Sequence, residues 1–425
     1  MSKTDRKKIK LAPDDLVVGL YIDLELGWSD HPFTFSKFKI KNNKDLKAVQ
    51  SLKIKQVTVI PAKGDVPVPK PAEKILNSVS TSMPDQDLEV DELWQEKNTQ
   101  QEKARLLREK RKKLTREYQQ RAKKIRNMTK DMKNRPANAI HNIDEIIDDM
   151  ASIFEAGEDM MTNLVNLGSG IHDDCNHTTN VAMLSLMLGA AEGISAEELK
   201  LLGTGALLHD IGKINVPGSI KIKKTALTPN EEKIMEKHAL DGRQLIERVR
   251  HMDQKVLDII DKHHEFLDGS GYPHGLKAAK IPILVRIVAI VNLYDNLCNP
   301  ADPSTAATPK IALATLYKMY QDKLDNNLVK RLIGLLGIYP PGTVVKLSDE
   351  SLGLVISADP KASLQPTVLI YDPDTPKEEA MIISLTEFPD LKIEQALRPG
   401  DYPPSIHHYL GIQERLGYMV EKNQS

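Results

Sequence analysis

Cysteine is almost missing from this chain of 425 residues, with Cys175 and Cys298 the only two. Two thiols cannot build a disulfide framework, and so sparse a use points to a reducing compartment, the cytoplasm. Aromatic residues are also few, at 4% of the sequence, which speaks against nucleic-acid binding by stacked bases. No apolar run approaches the ~20 residues that a spanning helix needs, so no membrane span is expected. The basic stretch Met1–Lys10 leads into no apolar core of a signal peptide. An excess of one charge is absent too: 58 Lys and Arg stand against 59 Asp and Glu. These absences leave a globular chain long enough for two or three domains.

What is present divides into five stretches. Residues 1–66 read as a small α/β regulatory module: an apolar run from Leu16 to Ile22, a helical stretch near Asn43–Leu52 and a β-branched run Ile54–Ile60. Trp28, His31 and Phe33 cluster in its loop and read as packing. Residues 67–90 open with Pro67, Pro69 and Pro71, spaced as in an extended linker. Residues 91–136 form a basic connector free of Gly and Pro up to Arg135, and therefore a long helix. Along it Leu107 and Leu114 are seven apart, as are Tyr118, Ile125 and Met132. That seam is heptad-like, so a homodimer through the connector is expected.

Residues 137–340 read as an all-α domain. Ile140, Ile143, Ile146, Ile147 and Met150 recur at helical spacing, and Thr228-Pro229-Asn230-Glu231 has the form of a capping box with proline in the first turn. Residues 341–425 change to β-branched runs such as Thr343–Leu347 and Thr367–Tyr371, which predict a small β appendage and a loop-rich tail. His407 and His408 in that tail read as a surface pair.

The chemistry concentrates in the all-α stretch. His209-Asp210-Ile211-Gly212-Lys213 follows the apolar run Ala206-Leu207-Leu208, and a buried His–Asp pair is costly unless hydrogen-bonded or bound to metal. His177, His238, His263 and His264 lie in the same stretch, with Asp173 four residues before His177 on one helix face. Imidazoles and carboxylates on rigid elements are the donors a hydrolytic metal site requires. Asp210 is placed to bridge two ions, as carboxylates do in paired-metal phosphoryl transfer. The bland alternative is a set of core histidines bonded to backbone.

These residues, together with Glu265 and the loop Asp268-Gly269-Ser270-Gly271-Tyr272-Pro273, resemble the HD-GYP family, a subgroup of the HD metal-dependent phosphohydrolases. The resemblance runs from about His172 to Leu297. It implies a centre of two or three divalent ions, iron or manganese, that hydrolyses cyclic di-GMP to pGpG or GMP. Carried over by position, it implies metal ligands at His177, His209, Asp210, His238, His263 and His264, with Asp173 serving a third ion. Lys213 would contact phosphate and offset developing charge beside Asp210, and Lys223, Gly271, Tyr272 and Pro273 would meet substrate. It also implies signalling-protein partners and a sensory role for the N-terminal module.

Two positions depart from the family. Asn292 stands where an Asp ligand is usual, and Pro300-Ala301-Asp302-Pro303-Ser304 replaces a basic run that holds phosphates. The loss of a charged ligand and of a bidentate phosphate fork keeps a second reading open: a weakly active or inactive cyclic-dinucleotide receptor. An HD hydrolase of another nucleotide is a third.

Overall fold

The computed structural model describes residues 8–27, 30–33, 35–69, 85–154, 160–165, 174–223, 225–249, 251–373, 375–412 and 415–422. Asp173 and Trp28 lie outside them. The chain divides into two units: Met1–Arg108 with Ser348–Ser351 and Ile370–Ile383, and Glu109–Leu347 with Leu352–Leu369 and Ser384–Ser425.

In the first unit the short apolar runs become β1 (Ile9–Leu11), β2 (Tyr21–Asp23), β3 (Lys37–Lys39) and β4 (Val57–Val59), an antiparallel sheet in the order β1-β4-β2-β3. Helix α1 (Asn43–Ser51) is started by Asn42, whose side chain accepts from the Asp45 amide. Leu20, Ile22, Ile40, Val49 and Val59 are fully buried and make the core. The α/β module read from the sequence is present. His31 and Phe33 are buried in it as packing, with His31 Nε2 3.0 Å from Ser36 Oγ.

Helix α2 (Asp85–Asn134) runs for 50 residues, starting ahead of the expected connector. With no Gly or Pro to break it, only the Pro136 that begins α3 (Pro136–Ala151) ends it. Its heptad-like seam is not free for a second chain. Leu114, Tyr118, Ile125 and Met132 are each 7% exposed or less within the single chain. At these four positions the stripe is covered by the chain itself, because a heptad pattern reports an apolar stripe and not whether the stripe's partner belongs to the same chain.

The second unit continues with α4 (Asp174–Ala191), α5 (Ala196–Leu208), α6 (Gly218–Lys221), α7 (Pro229–Glu236), α8 (His238–Val249), α9 (Gln254–Lys262), α10 (Ile283–Cys298), α11 (Pro309–Met319) and α12 (Asn326–Leu336). On α3, Ile143, Ile146, Ile147 and Met150 are buried as their spacing requires. The capping box at α7 is formed, with Thr228 accepting from the Glu231 amide and the Glu231 carboxylate accepting from the Thr228 amide.

The stretch 137–340 is not wholly helical. Strand β5 (Met160–Val165) precedes α4 and pairs antiparallel with the C-terminal strand β11 (Gly417–Lys422), Val165 opposite Gly417. It pairs also with β7 (Leu352–Ala358), which joins β6 (Val344–Leu347) and then β10 (Ile393–Leu397). Strands β8 (Thr367–Tyr371) and β9 (Ile382–Ser384) extend the sheet from β7, and α13 (Pro404–Leu410) precedes β11. The expected appendage is thus one sheet completed by a strand from the helical stretch, and the expected tail returns to pair with it. Five of the six residues of β5 are buried, so it carries no polar–apolar alternation for a sequence reading to detect. Among the described residues no helix is long and apolar enough to cross a membrane.

Candidate metal centre

The buried end of α5 delivers His209 at its C-cap and Asp210 immediately beyond, where the backbone leaves the helix. A helix end leaves carbonyls without partners. His209 Nδ1 takes one of them, Ala206 O, at 2.7 Å. Two further histidines repeat the device, each bonding the carbonyl three residues earlier: His238 Nδ1 to Met235 O at 2.6 Å and His263 Nδ1 to Ile260 O at 3.0 Å. A carbonyl can only accept, so each Nδ1 carries the proton and each Nε2 presents a lone pair. His177 on α4 is held differently, its Nδ1 lying 2.7 Å from Asp295 Oδ2 on α10.

The free Nε2 atoms converge in pairs. His177 and His209 face each other at 3.3 Å, and His238 and His263 at 3.2 Å. Lone pairs so arranged repel unless a cation lies among them, and a first-row ion with ~2.1 Å bonds spaces neighbouring ligands by roughly 3.0–3.4 Å. Asp210 addresses both pairs. Its Oδ2 is 3.3 Å from His209 Nε2 and 3.6 Å from His177 Nε2, while Oδ1 is 3.2 Å from His238 Nε2 and 3.9 Å from His263 Nε2. Although buried, Oδ1 accepts no hydrogen bond. A buried carboxylate oxygen without a donor is the atom a metal would satisfy.

Two ligand sets result: His177, His209 and Asp210, and Asp210, His238, His263 and His264. Protonation agrees with this use. Burial, reinforced by neighbouring imidazoles, holds His263 and His264 well below the ordinary histidine range, so both are neutral as ligands must be. Burial likewise lowers His209, whereas for His177 the hydrogen bond and charge of Asp295 outweigh burial and raise it. Burial pushes the Asp210 carboxyl up, but His209 and Lys213 overcome it and keep the group ionised. Lys213 Nζ lies 2.5 Å from Asp210 Oδ2, and that contact keeps its ammonium charged against the opposing effect of burial.

Glycine lets these elements close up. A Cβ on Gly212 would overlap the His238 carbonyl oxygen and stand 2.5 Å from the Gly242 amide nitrogen, so α8 can dock on the His209–Lys213 turn only without a side chain there. At Gly271 a Cβ would stand 2.5 Å from both His264 O and Glu265 Cα, so the loop folds back onto 264–266 only with glycine. The fold-back stacks Tyr272 on His264, ring centroids 4.5 Å apart and planes 20° apart. Pro273 follows through a cis peptide bond. Buried Glu265 pins the rest of the loop, accepting from the amides of His274 at 2.6 Å and Leu276 at 2.7 Å.

Two other expected residues have neighbours of their own. Asn292 is buried on α10, and its Oδ1 accepts from Asn296 Nδ2 at 2.9 Å. Lys223 Nζ lies 2.5 Å from Glu231 Oε2, the same oxygen that serves the α7 capping box. The reading of the sequence missed Asp295. It is fully buried, and while Oδ2 holds His177, Oδ1 accepts from Asn180 and Asn299. The available signal was the lone carboxylate in the run Ile287–Leu297, three residues beyond Asn292.

The HD domain matches residues 160–328, and a domain of unknown function, DUF3391, matches residues 8–143. Among curated relatives, a cyclic di-GMP phosphodiesterase of Pseudomonas aeruginosa is 27% identical over 229 residues, covering 53% of this chain and 55% of the relative. The cyclic di-GMP phosphodiesterase response regulator RpfG of Xanthomonas campestris is 37% identical over 142 residues, 33% of this chain and 38% of that one. A 3'3'-cGAMP-specific phosphodiesterase of Vibrio cholerae is 34% identical over 155 residues, 36% of this chain and 30% of that one. The chain thus spans about half, or less, of the length of these relatives. Both ligand sets fall inside residues 160–328, the stretch that matches the HD domain, and the DUF3391 match lies ahead of it in the chain.

Proposed function

We propose that this protein is a metal-dependent phosphodiesterase that hydrolyses cyclic di-GMP to pGpG or GMP in bacterial second-messenger signalling. The observation that carries the reading is Asp210, a buried carboxylate whose two oxygens face two histidine sets and of which one has no hydrogen-bond donor. Curated relatives that match part of this chain bear the names of cyclic-dinucleotide phosphodiesterases. His177, His209 and Asp210 would hold one divalent ion, and Asp210, His238, His263 and His264 a second, iron or manganese, with Asp173 available to a third. Imidazole and carboxylate donors suit such borderline ions. When bound, the ions would supply Lewis-acid activation of water and neutralise phosphoryl charge.

The chain's own groups do the rest. Three backbone carbonyls and Asp295 fix the imidazole tautomers before substrate arrives. Lys213, charged and 2.5 Å from Asp210, is placed to offset charge that develops at phosphorus. Tyr272, rigid against His264, offers a ring edge to a guanine base or phosphate beside the centre. A reducing cytoplasm suits two cysteines that are both buried and in no disulfide.

Anaerobically purified, metal-loaded protein should convert cyclic di-GMP, followed by chromatography beside 3'3'-cGAMP, and His209→Ala should not. Intact substrate after hours with both proteins would sink the hydrolase reading. One observation favours a second reading, a receptor that binds cyclic dinucleotide without turnover: Asn292 brings no charge, and its oxygen is occupied by Asn296. Tight binding without turnover, and activity recovered in Asn292→Asp, would select it.

A further inference from the structure

The bond from Asp295 to His177 is the inner end of a buried network that reaches two distant parts of the second unit. Asn180 lies one turn along α4 from His177 and is fully buried. Its Nδ2 donates to Asp295 Oδ1 at 2.7 Å and to Leu416 O at 2.9 Å, and its Oδ1 accepts from the Tyr418 amide at 3.1 Å. The backbone carbonyl can only accept and the backbone amide only donate, so the orientation of the Asn180 amide is fixed by chemistry. Asn299 repeats the motif, donating to Asp295 Oδ1 at 2.8 Å and Leu416 O at 3.1 Å while accepting from the Leu416 amide at 2.7 Å. Arg415 closes the clamp on the Asn299 carbonyl at 3.0 Å.

The remaining lone pair of Asn180 Oδ1 faces Tyr118 on α2. Tyr118 is 0% exposed, and its hydroxyl lies 3.0 Å from Asn180 Oδ1 and 2.9 Å from Asn176 O, both acceptors, so it can only donate. Every polar atom of Asn180 is thereby used, in a low-dielectric interior where such a network holds a single arrangement.

We infer that Tyr118 and Asn180, with the backbone of residues 416–418, are positioning groups for His177, so that the long helix and the C-terminal strand complete the outer shell of the His177–His209–Asp210 ligand set alone. Asp295 must offer acceptors on both oxygens at once. Asn180 and Asn299 hold one oxygen so that the other meets His177 Nδ1, which aims Nε2 at His209 and Asp210. Among the described residues the second ligand set has no such network: His238 and His263 each bond the carbonyl three residues earlier, Met235 O in the last turn of α7 and Ile260 O in the last turn of α9.

This rests on the metal-centre reading, and the experiment separates the two. Mn2+ binding to the full-length chain is titrated by the paramagnetic resonance of free Mn2+, once in a His177→Ala background and once in a His264→Ala background, with and without Tyr118→Phe or Asn180→Leu. Outer partners of a ligand histidine are worth roughly 10–100-fold in metal affinity. Asn180→Leu is expected within that range and Tyr118→Phe at about tenfold, its low end, both only in the His264→Ala background, where the His177 set is intact. Tyr118→Phe keeps the buried ring, and thermal unfolding of the metal-free protein checks that the fold is retained. Equal weakening in both backgrounds, or none in either, overturns the inference while leaving the metal centre standing. Absence of Mn2+ binding by the unaltered chain overturns the metal centre and this inference together.

Discussion

Replacing Gly212 with alanine is expected to dislodge one ligand set by a purely steric route. The new methyl group would overlap the His238 carbonyl oxygen and stand 2.5 Å from the Gly242 amide nitrogen, and neither atom is the end of a flexible side chain. An ordinary contact needs about 3.5 Å, so the His238 carbonyl at the start of α8 must retreat by roughly 1.5 Å. A metal ligand tolerates about 0.2 Å. Forced repacking of this kind costs about 1–3 kcal/mol. In a domain this large it lowers the melting temperature of the metal-free protein by roughly 2–12 °C. His238 leaves with the turn, so metal content after anaerobic loading and dialysis should fall by the ion of the Asp210–His238–His263–His264 set. Gly218→Ala is the matched control, since nothing lies within 4 Å of a Cβ there. Wild-type stability together with wild-type metal content in Gly212→Ala would refute the reasoning.

Asp295→Asn puts an NH2 where an oxygen now accepts, against either His177 or the paired Asn180 and Asn299 amides. The unmet buried donor costs about 1–3 kcal/mol, to be read by urea unfolding alongside a weakened His177 metal set, and an unchanged unfolding midpoint would count against it. Lys213→Met should keep metal content while kcat for cyclic di-GMP drops by roughly 10²–10³-fold; loss of metal with activity would instead assign Lys213 a structural role. Glu265→Gln removes one of the two acceptors that hold the His274 and Leu276 amides. The loosened Tyr272 loop should raise KM for cyclic di-GMP with metal content unchanged, and an unaltered KM would show that the loop does not meet substrate.

Several features were legible because their causes are local. The α7 capping box needs only Thr228 and Glu231, and helix α2 needs only an uninterrupted run without Gly or Pro. The buried face of α3 follows from the spacing of Ile143, Ile146, Ile147 and Met150. The donor types at 177, 209, 210, 238, 263 and 264 could likewise be picked out, since a His–Asp pair at the end of an apolar helix demands compensation wherever it lies. Strand β5 was invisible because five of its six residues are buried, which leaves no alternation, and because the strands on its two edges come from beyond residue 350. The seam on α2 was visible as apolar, but its occupant was not. Lys223 illustrates the converse: a motif position alone did not reveal that Glu231 already holds its ammonium.

The amino-acid sequence by itself determined that α2, α3 and α7 are helices, where α7 starts and which side chains are chemically able to bind metal, because each of these depends on neighbours within about one helical turn. The tertiary structure decided which donors meet. It set the two oxygens of Asp210 against two histidine pairs, brought Asp295 to His177 across 118 positions and brought Tyr418 to Asn180 across 238. Such pairings follow from how the layers pack and from which buried polar atoms must find partners, and no local pattern in the chain encodes them.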